Sequence, residues 1–163
     1  MAVFYLDTSA VLKRYRTEKG TDVVTQLYEG STSRDVLLTS SFTCLEVESV
    51  AARALKGRVL SQEAYDALLG SFSRDLIEYL ALLPSSREKI TDAIDAARTY
   101  ALRAADAVHL AAGKAGDALI KSDGGLMFVC SDKELLAAAE AAGMETLNPE
   151  ADEALEKLRA TRG

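Results

Sequence analysis

The chain has little of several residue types that define common classes of protein. It has two cysteines, two prolines, one histidine and no tryptophan among 163 residues. Cys44 and Cys130 do not form a Cys-x-x-Cys motif and lie among apolar neighbours, which predicts buried, reduced thiols. Because His109 is the only histidine, a zinc site built from several histidine and cysteine ligands is excluded.

Long apolar runs and an excess of basic residues are also absent. The longest stretch without a charge is 36–45, whereas a membrane-spanning helix needs about 20 apolar residues. The N-terminus does not resemble a signal peptide, so we expect a cytoplasmic protein with no membrane contact. The net charge of -6 argues against coating nucleic acid by bulk charge. It does not exclude a nuclease whose carboxylates bind divalent cations.

The composition predicts one folded domain over 1–163, since 48% of the residues are hydrophobic and 27% are charged. Short apolar runs predict strands at 3–6, 36–39, 126–130 and 145–147, with a fifth candidate at 77–83. Helical spacing covers 8–16, 21–28, 43–55, 62–76 and 91–114, the last with a break near 100–103. A further helix contains Leu135. The charged helix within 150–160 is expected to be peripheral.

Alternation of short strands with helices predicts an α/β fold, with a parallel sheet covered on both faces. Ligands bind such folds at the carboxyl ends of the strands. Two aspartates lie there. Asp7 follows the first strand, and Asp132 follows the strand at 126–130. Each also suits the start of a helix, Asp7 as an N-cap and Asp132 within a capping box of Ser131 and Glu134.

Two further carboxylates lie on predicted helices. Glu46 either closes a capping box with Thr43 or lies one turn inside its helix if Ser40 or Ser41 is the cap, and Glu48 points to a different face. Asp106 lies among small apolar residues, where a carboxylate is costly unless it is paired or binds a metal. Arg103 at i−3 and His109 at i+3 are the alternative partners for Asp106. His109 is predicted to be a packed core histidine, with a role as base or ligand as the alternative.

Together these four carboxylates point to a metal site at one edge of the sheet. Four such groups would repel one another without a cation, and hard oxygen ligands select Mg²⁺ or Mn²⁺ over Zn²⁺. Two such ions about 4 Å apart are a known solution for phosphodiester cleavage.

Four motifs in order resemble the PIN-domain nucleases, and within them the VapC-type toxins of bacterial toxin–antitoxin pairs. They span almost the whole chain. The motifs are Leu6-Asp7-Thr8-Ser9-Ala10, then Thr39-Ser40-Ser41 with Leu45-Glu46-Val47, then Leu102-Arg103-Ala104-Ala105-Asp106-Ala107-Val108-His109-Leu110-Ala111, and finally Val129-Cys130-Ser131-Asp132-Lys133-Glu134-Leu135.

The resemblance implies a three-layer α/β/α domain with a five-stranded parallel sheet in the order 3-2-1-4-5. It also implies a metal-dependent endoribonuclease that hydrolyses RNA at a site formed by Asp7, Glu46, Asp106 and Asp132. A homodimer and a small antitoxin protein are the implied partners. Thr8 and Ser9 would hold a water on the metal or orient Asp7, with helix capping as the alternative. Ser131 and Arg103 are supporting candidates.

Basic residues near the carboxylates are candidates for contact with RNA, with an ordinary solvated surface as the alternative. They are Lys13, Arg14, Arg16, Lys19, Arg53, Lys56 and Arg58.

Three other functions compete with the toxin hypothesis. A haloacid-dehalogenase-type phosphatase would need a second aspartate where Ser9 stands. A PIN-like module that binds RNA or protein without cleaving it, and an RNA-processing PIN nuclease without an antitoxin, both remain open.

Overall fold

Five short strands form one parallel sheet in the order β3-β2-β1-β4-β5. The computed structural model describes residues 2–31, 35–120 and 125–163. Leu6 at the end of β1 lies opposite Val129 of β4, so both strands end at the same edge. The predicted fold class and strand order are confirmed. The strands are β1 Val3–Leu6, β2 Val36–Ser40, β3 Leu80–Leu83, β4 Met127–Val129 and β5 Glu145–Leu147.

Helices cover both faces of this sheet because its central strand is apolar on both sides. Phe4 and Leu6 pack into one core, whereas Val3 and Tyr5 pack into the other. The helices of the described residues are α1 Thr8–Leu12, α2 Thr21–Glu29, α3 Ser41–Lys56, α4 Gln62–Glu78, α5 Arg87–Tyr100, α6 Ala104–Ile120, α7 Lys133–Ala141 and α8 Ala154–Arg162. The first core includes residues of α1 to α4 and α8, and the second includes residues of α5 to α7.

Helix α6 lies close against the sheet, and a glycine makes this possible. A Cβ atom added at Gly113 would lie 2.6 Å from the ring of Phe128 in β4. Real Cβ atoms do not approach so closely, so a larger residue there would push the helix away from the strand. This contact helps to place the first turns of α6, which carry Asp106 and His109, beside the end of β1.

The predicted helix at 62–76 ends two residues too early, and the predicted strand at 77–83 starts three residues too early. Helix α4 continues to Glu78, and β3 begins only at Leu80. Ile77 is 86% exposed on the outer face of the helix, so its apolar side chain mimicked the start of a buried strand.

The predicted helix at 8–16 is shorter than expected, and one residue proposed to contact RNA lies inside the protein. Helix α1 ends at Leu12, and Lys13 is only 4% exposed. The Lys13 ammonium donates hydrogen bonds to Glu18 at 3.2 Å, to Glu150 at 2.7 Å and to the carbonyl of Lys19 at 2.9 Å. Lys13 therefore anchors the loop after α1, and its assignment to RNA contact is wrong.

The predicted break in the segment 91–114 separates α5 from α6. Ala101 adopts a left-handed conformation at φ 54° although it is not glycine. The chain then turns at Leu102 and Arg103, and the Arg103 carbonyl accepts the amide of Ala107 at 2.9 Å. This turn starts a new helix with Asp106 in its first turn.

The last helix packs against the core, contrary to the expectation that it is peripheral. Ala154 and Leu158 are each 1% exposed. Arg162 pairs with Asp35 at 3.0 Å and donates to the end of α2. Within the described ranges, no helix is long and apolar enough to cross a membrane.

Candidate active site

Asp7 is a buried carboxylate at the junction of β1 and α1. It is the N-cap of α1, and its Oδ1 accepts the amide of Ala10 at 2.8 Å. The Ser9 hydroxyl lies 2.8 and 2.9 Å from the two carboxylate oxygens, and the Cys130 thiol lies 3.3 Å from Oδ2. Burial raises the pKa of Asp7, although these hydrogen bonds and the nearby His109 act in the opposite direction. The capping and functional interpretations of Asp7 are therefore compatible.

Glu46 faces the same edge from the second turn of α3. Ser40 is the N-cap of that helix, which puts Glu46 inside it as the sequence predicted. His109 Nε2 lies 2.7 Å from Glu46 Oε2, and the Thr8 hydroxyl also donates to this oxygen. Partial burial by itself raises the pKa of Glu46, but the hydrogen bonds from His109 and Thr8 outweigh it. The pKa therefore lies below its ordinary value.

Glu48 points away from the site. Its carboxylate accepts a hydrogen bond from the hydroxyl of Tyr65 in α4. Two residues along a helix face different directions, so only Glu46 is turned toward the ends of the strands.

Asp106 and Asp132 are joined by one arginine. Arg103 Nε lies 2.9 Å from Asp106 Oδ2, and Arg103 Nη2 lies 3.0 Å from Asp132 Oδ2. The ion pair that the sequence offered as the alternative for Asp106 is present, and Asp132 shares it. The Arg103 side chain is 72% exposed, so nothing buries this bridge.

Asp132, and not Ser131, is the N-cap of α7. Its Oδ1 accepts the amide of Leu135 at 2.9 Å. Ser131 Oγ is buried without a hydrogen-bond partner among the residues that the structure describes. The predicted capping box of Ser131 and Glu134 is therefore wrong, and the helix begins one residue later than that box requires.

Hydrogen bonds connect the site residues at the end of β1 with those at the end of β4. The amide of Asp7 donates to the carbonyl of Val129 at 3.1 Å. The Cys130 sulfur, already in contact with Asp7, accepts the amide of Asp132 at 3.2 Å. Asp7 and Asp132 are therefore linked through one buried thiol. Cys130 is free, as predicted, and burial raises its pKa well above the ordinary value. Its role beside Asp7 was missed because only the strand pairing brings them together.

His109 has a larger part in the site than the sequence analysis gave it. It is 2% exposed, as expected for a core histidine. However, its Nε2 faces Glu46, and its Nδ1 lies 2.9 Å from the hydroxyl of Tyr5. Because a carboxylate only accepts, Nε2 carries a hydrogen toward Glu46, so His109 donates to that carboxylate. The i+3 spacing from Asp106 placed His109 on the same helix face, and that signal was available in the sequence.

The carboxylate oxygens at this edge of the sheet suit a hard divalent cation, although the side chains do not surround a single point. Within the described ranges, no group of three or more histidine, cysteine, aspartate or glutamate side chains is close enough to hold a metal ion. Every hydrogen-bond partner found there for Asp7 is an uncharged group. A buried carboxylate with no cationic partner is costly, so a cation at this edge would offset that cost. Arg103 already supplies positive charge to Asp106 and Asp132.

Comparison with known proteins identifies relatives along most of the chain. The family model described as the PIN domain matches residues 4–129. Ribonuclease VapC45 of Mycobacterium tuberculosis is 32% identical over 148 residues, covering 88% of this chain and 93% of that protein.

Two solved structures share the fold at low sequence identity. VapBC2 from Rickettsia felis, bound to a DNA fragment from its promoter, has a TM-score of 0.62 at 14% identity. The match covers 90% of this chain and 98% of the other. A toxin–antitoxin complex from Klebsiella pneumoniae has a TM-score of 0.55 at 16% identity, with 91% and 98% covered. At such identities the likeness concerns the fold alone.

Proposed function

The chain belongs to the PIN-domain family, and we propose that it is a metal-dependent endoribonuclease, the toxin of a toxin–antitoxin pair. The observation that carries the proposal is the connected acidic edge described above. Cys130 links Asp7 to Asp132, and Arg103 links Asp132 to Asp106, while Glu46 contacts Thr8, the residue that follows Asp7. The name of the Mycobacterium relative, a ribonuclease, supports RNA as the substrate.

Asp7, Asp106 and Asp132 would hold Mg²⁺ or Mn²⁺, and Glu46 would complete the set directly or through a water. Carboxylate oxygens suit both ions and do not choose between them. When bound, such an ion activates a water for attack on phosphorus and stabilises the negative charge on the leaving oxygen.

The neighbouring residues orient these carboxylates. Ser9 and the amide of Ala10 hold Asp7, while His109 and Thr8 hold Glu46. The hydrogen bonds from His109 and Thr8 hold the pKa of Glu46 below its ordinary value, so this carboxylate is an acceptor for water at the site. The Cys130 thiol is not a candidate nucleophile, because burial raises its pKa and disfavours the thiolate.

A small antitoxin protein, a homodimer and a cytoplasmic location complete the proposal. The structure from Klebsiella pneumoniae that shares this fold is a toxin–antitoxin complex, which supports a protein inhibitor. An antitoxin that covers the acidic edge would block access of RNA to the four carboxylates.

The test is cleavage of a structured RNA pool by the purified full chain with Mg²⁺ or Mn²⁺. We expect cleavage that stops with EDTA and in Asp106→Asn. Asp92→Asn is the matched control, because Asp92 is an exposed acid on α5 that pairs only with Lys89 at 2.9 Å among the described residues. Circular dichroism of each variant checks that the fold is intact.

Other outcomes separate the alternatives. Cleavage that persists in Asp106→Asn would reject the acidic edge as the active site. Metal binding by folded protein without cleavage of any RNA would favour a PIN-like binding module. Cleavage by a chain whose gene has no neighbouring antitoxin gene would favour an RNA-processing nuclease.

A further inference from the structure

Arg103 places a positive charge between two of the carboxylates assigned to metal binding. Its guanidinium uses two different nitrogens, Nε for Asp106 and Nη2 for Asp132, at 2.9 and 3.0 Å. The two acids belong to α6 and α7, and only tertiary packing brings them together. Arg103 therefore reduces the repulsion between these two carboxylates.

The backbone of Arg103 is held in a turn, whereas its side chain is exposed. Its carbonyl accepts the amide of Ala107 as α6 begins, and Ala101 in the left-handed conformation sets the preceding turn. The side chain itself is 72% exposed and, among the described residues, its hydrogen bonds go only to the two aspartates. An exposed arginine held only by ion pairs can leave without disturbing the core.

We propose that Arg103 is a built-in counter-cation of the acidic edge, which competes with the divalent metal ion for Asp106 and Asp132. The guanidinium satisfies the two carboxylates when no metal is bound, and metal binding requires it to leave them. This inference rests on the proposed function, since it assumes that these aspartates bind a metal.

The same geometry makes Arg103 different from an ordinary surface arginine. Its planar fork reaches two acids at once, which lysine, with a single ammonium group, does less well. Arg98 provides the comparison on the preceding helix. Among the described residues it pairs with Asp95, at 3.6 Å, and both side chains are exposed. Removal of either arginine lowers the charge of the protein equally, but only Arg103 contacts the acidic edge.

The test is the affinity of the full chain for Mn²⁺, measured by titration calorimetry without RNA. We expect Arg103→Gln to tighten Mn²⁺ binding by roughly threefold to tenfold, because the competing ion pairs are lost. Arg103→Lys should give a smaller gain, and Arg98→Gln should leave the Kd close to that of the wild type. Equal tightening in Arg98→Gln and Arg103→Gln would mean a general charge effect and overturn the proposal.

Thermal unfolding gives a second readout that does not depend on activity. In EDTA, Arg103→Gln should melt at a lower temperature than the wild type, because Asp106 and Asp132 lose their counter-charge. Saturating Mn²⁺ should raise the Tm of this variant more than that of the wild type, since ligand stabilisation grows with affinity. Equal Mn²⁺-induced shifts in the two proteins would contradict the competition.

The two proposals fail in different ways. If the wild type does not bind Mn²⁺ at all, the metal-dependent function is rejected, and the role of Arg103 with it. If the wild type binds Mn²⁺ and Arg103→Gln binds it with the same Kd, the metal site stands and only the counter-cation role is overturned.

Discussion

Asp7 and Glu46 are held by partners inside the protein, whereas Asp106 and Asp132 are joined by a side chain on its surface. The partners of the first two acids include His109, which is 2% exposed, and the buried Thr8. The bridge between the other two is Arg103, whose side chain is 72% exposed. We call Asp7 and Glu46 the network pair, and Asp106 and Asp132 the arginine-bridged pair.

This difference indicates which part of the site is preorganised. Buried and part-buried hydrogen bonds hold the network pair in one arrangement, because breaking them would leave polar groups unsatisfied beside the core. The arginine-bridged pair can exchange its exposed partner for water or a cation at little cost. We infer that the network pair supplies fixed ligands and that the arginine-bridged pair adjusts when metal binds.

The largest effect is expected from Asp7→Asn. Cleavage should fall by more than roughly a hundredfold, since even partners of metal ligands commonly cost tenfold to a hundredfold. The fold should survive in EDTA, because asparagine also caps helices and the buried charge is removed. RNA cleavage and thermal melting measure the two properties, with Asp95→Asn as the exposed control. A large loss of Tm in Asp7→Asn would show that its carboxylate serves the fold rather than the metal.

His109→Ala should damage both stability and activity. The change leaves Glu46 with Thr8 as its remaining partner and removes the His109 partner of the Tyr5 hydroxyl, which costs roughly 1–3 kcal/mol of unfolding free energy. Cleavage should fall roughly tenfold to a hundredfold through misplacement of Glu46. Tyr5→Phe removes only the more distant hydrogen bond and should cost less in both assays. Urea unfolding and the KM and kcat for RNA measure these effects, and wild-type kcat in His109→Ala would reject the positioning role.

Two substitutions at Asp132 distinguish its role as the N-cap of α7 from its proposed role in metal binding. Asp132→Ala removes the N-cap of α7 and should lower stability by about 1 kcal/mol, whereas Asp132→Asn retains a cap. Both should lose cleavage, because neither supplies a carboxylate. Urea unfolding of the two variants beside RNA cleavage tests this, and an active Asp132→Asn would remove Asp132 from the metal site.

The smallest expected effect is a change with salt in the Tm difference between a variant and the wild type. In EDTA, the Tm difference between the wild type and Arg103→Gln should shrink as NaCl is raised to about 1 M, where the Debye length is about 3 Å. The Tm difference between the wild type and His109→Ala should change little, because its contacts are buried. Equal salt sensitivity of the two differences would remove the distinction between the network pair and the arginine-bridged pair.

Local patterns in the sequence were sufficient for the α/β class with its parallel sheet, whereas the strand order came from the family resemblance. Apolar runs that end at Leu6 and near Val129 predicted the strands whose ends carry Asp7 and Asp132. Ser40 was one of the alternative caps for a helix predicted from Thr43, and α3 begins directly after it, which sets the depth of Glu46. The boundary errors at Ile77 and Ser131 arose where an exposed apolar residue or a neighbouring cap imitated the expected signal.

The partners of the acids were decided only by tertiary structure. His109 and Glu46 are 63 positions apart, and Arg103 and Asp132 are 29 apart. Cys130 meets Asp7 across 123 positions, because β4 pairs with β1. Hydrophobic patterning and capping act between near neighbours, so a sequence displays them directly. Hydrogen bonds between distant side chains depend on how the helices pack around the sheet, and that packing sets which carboxylates are held from inside and which from the surface.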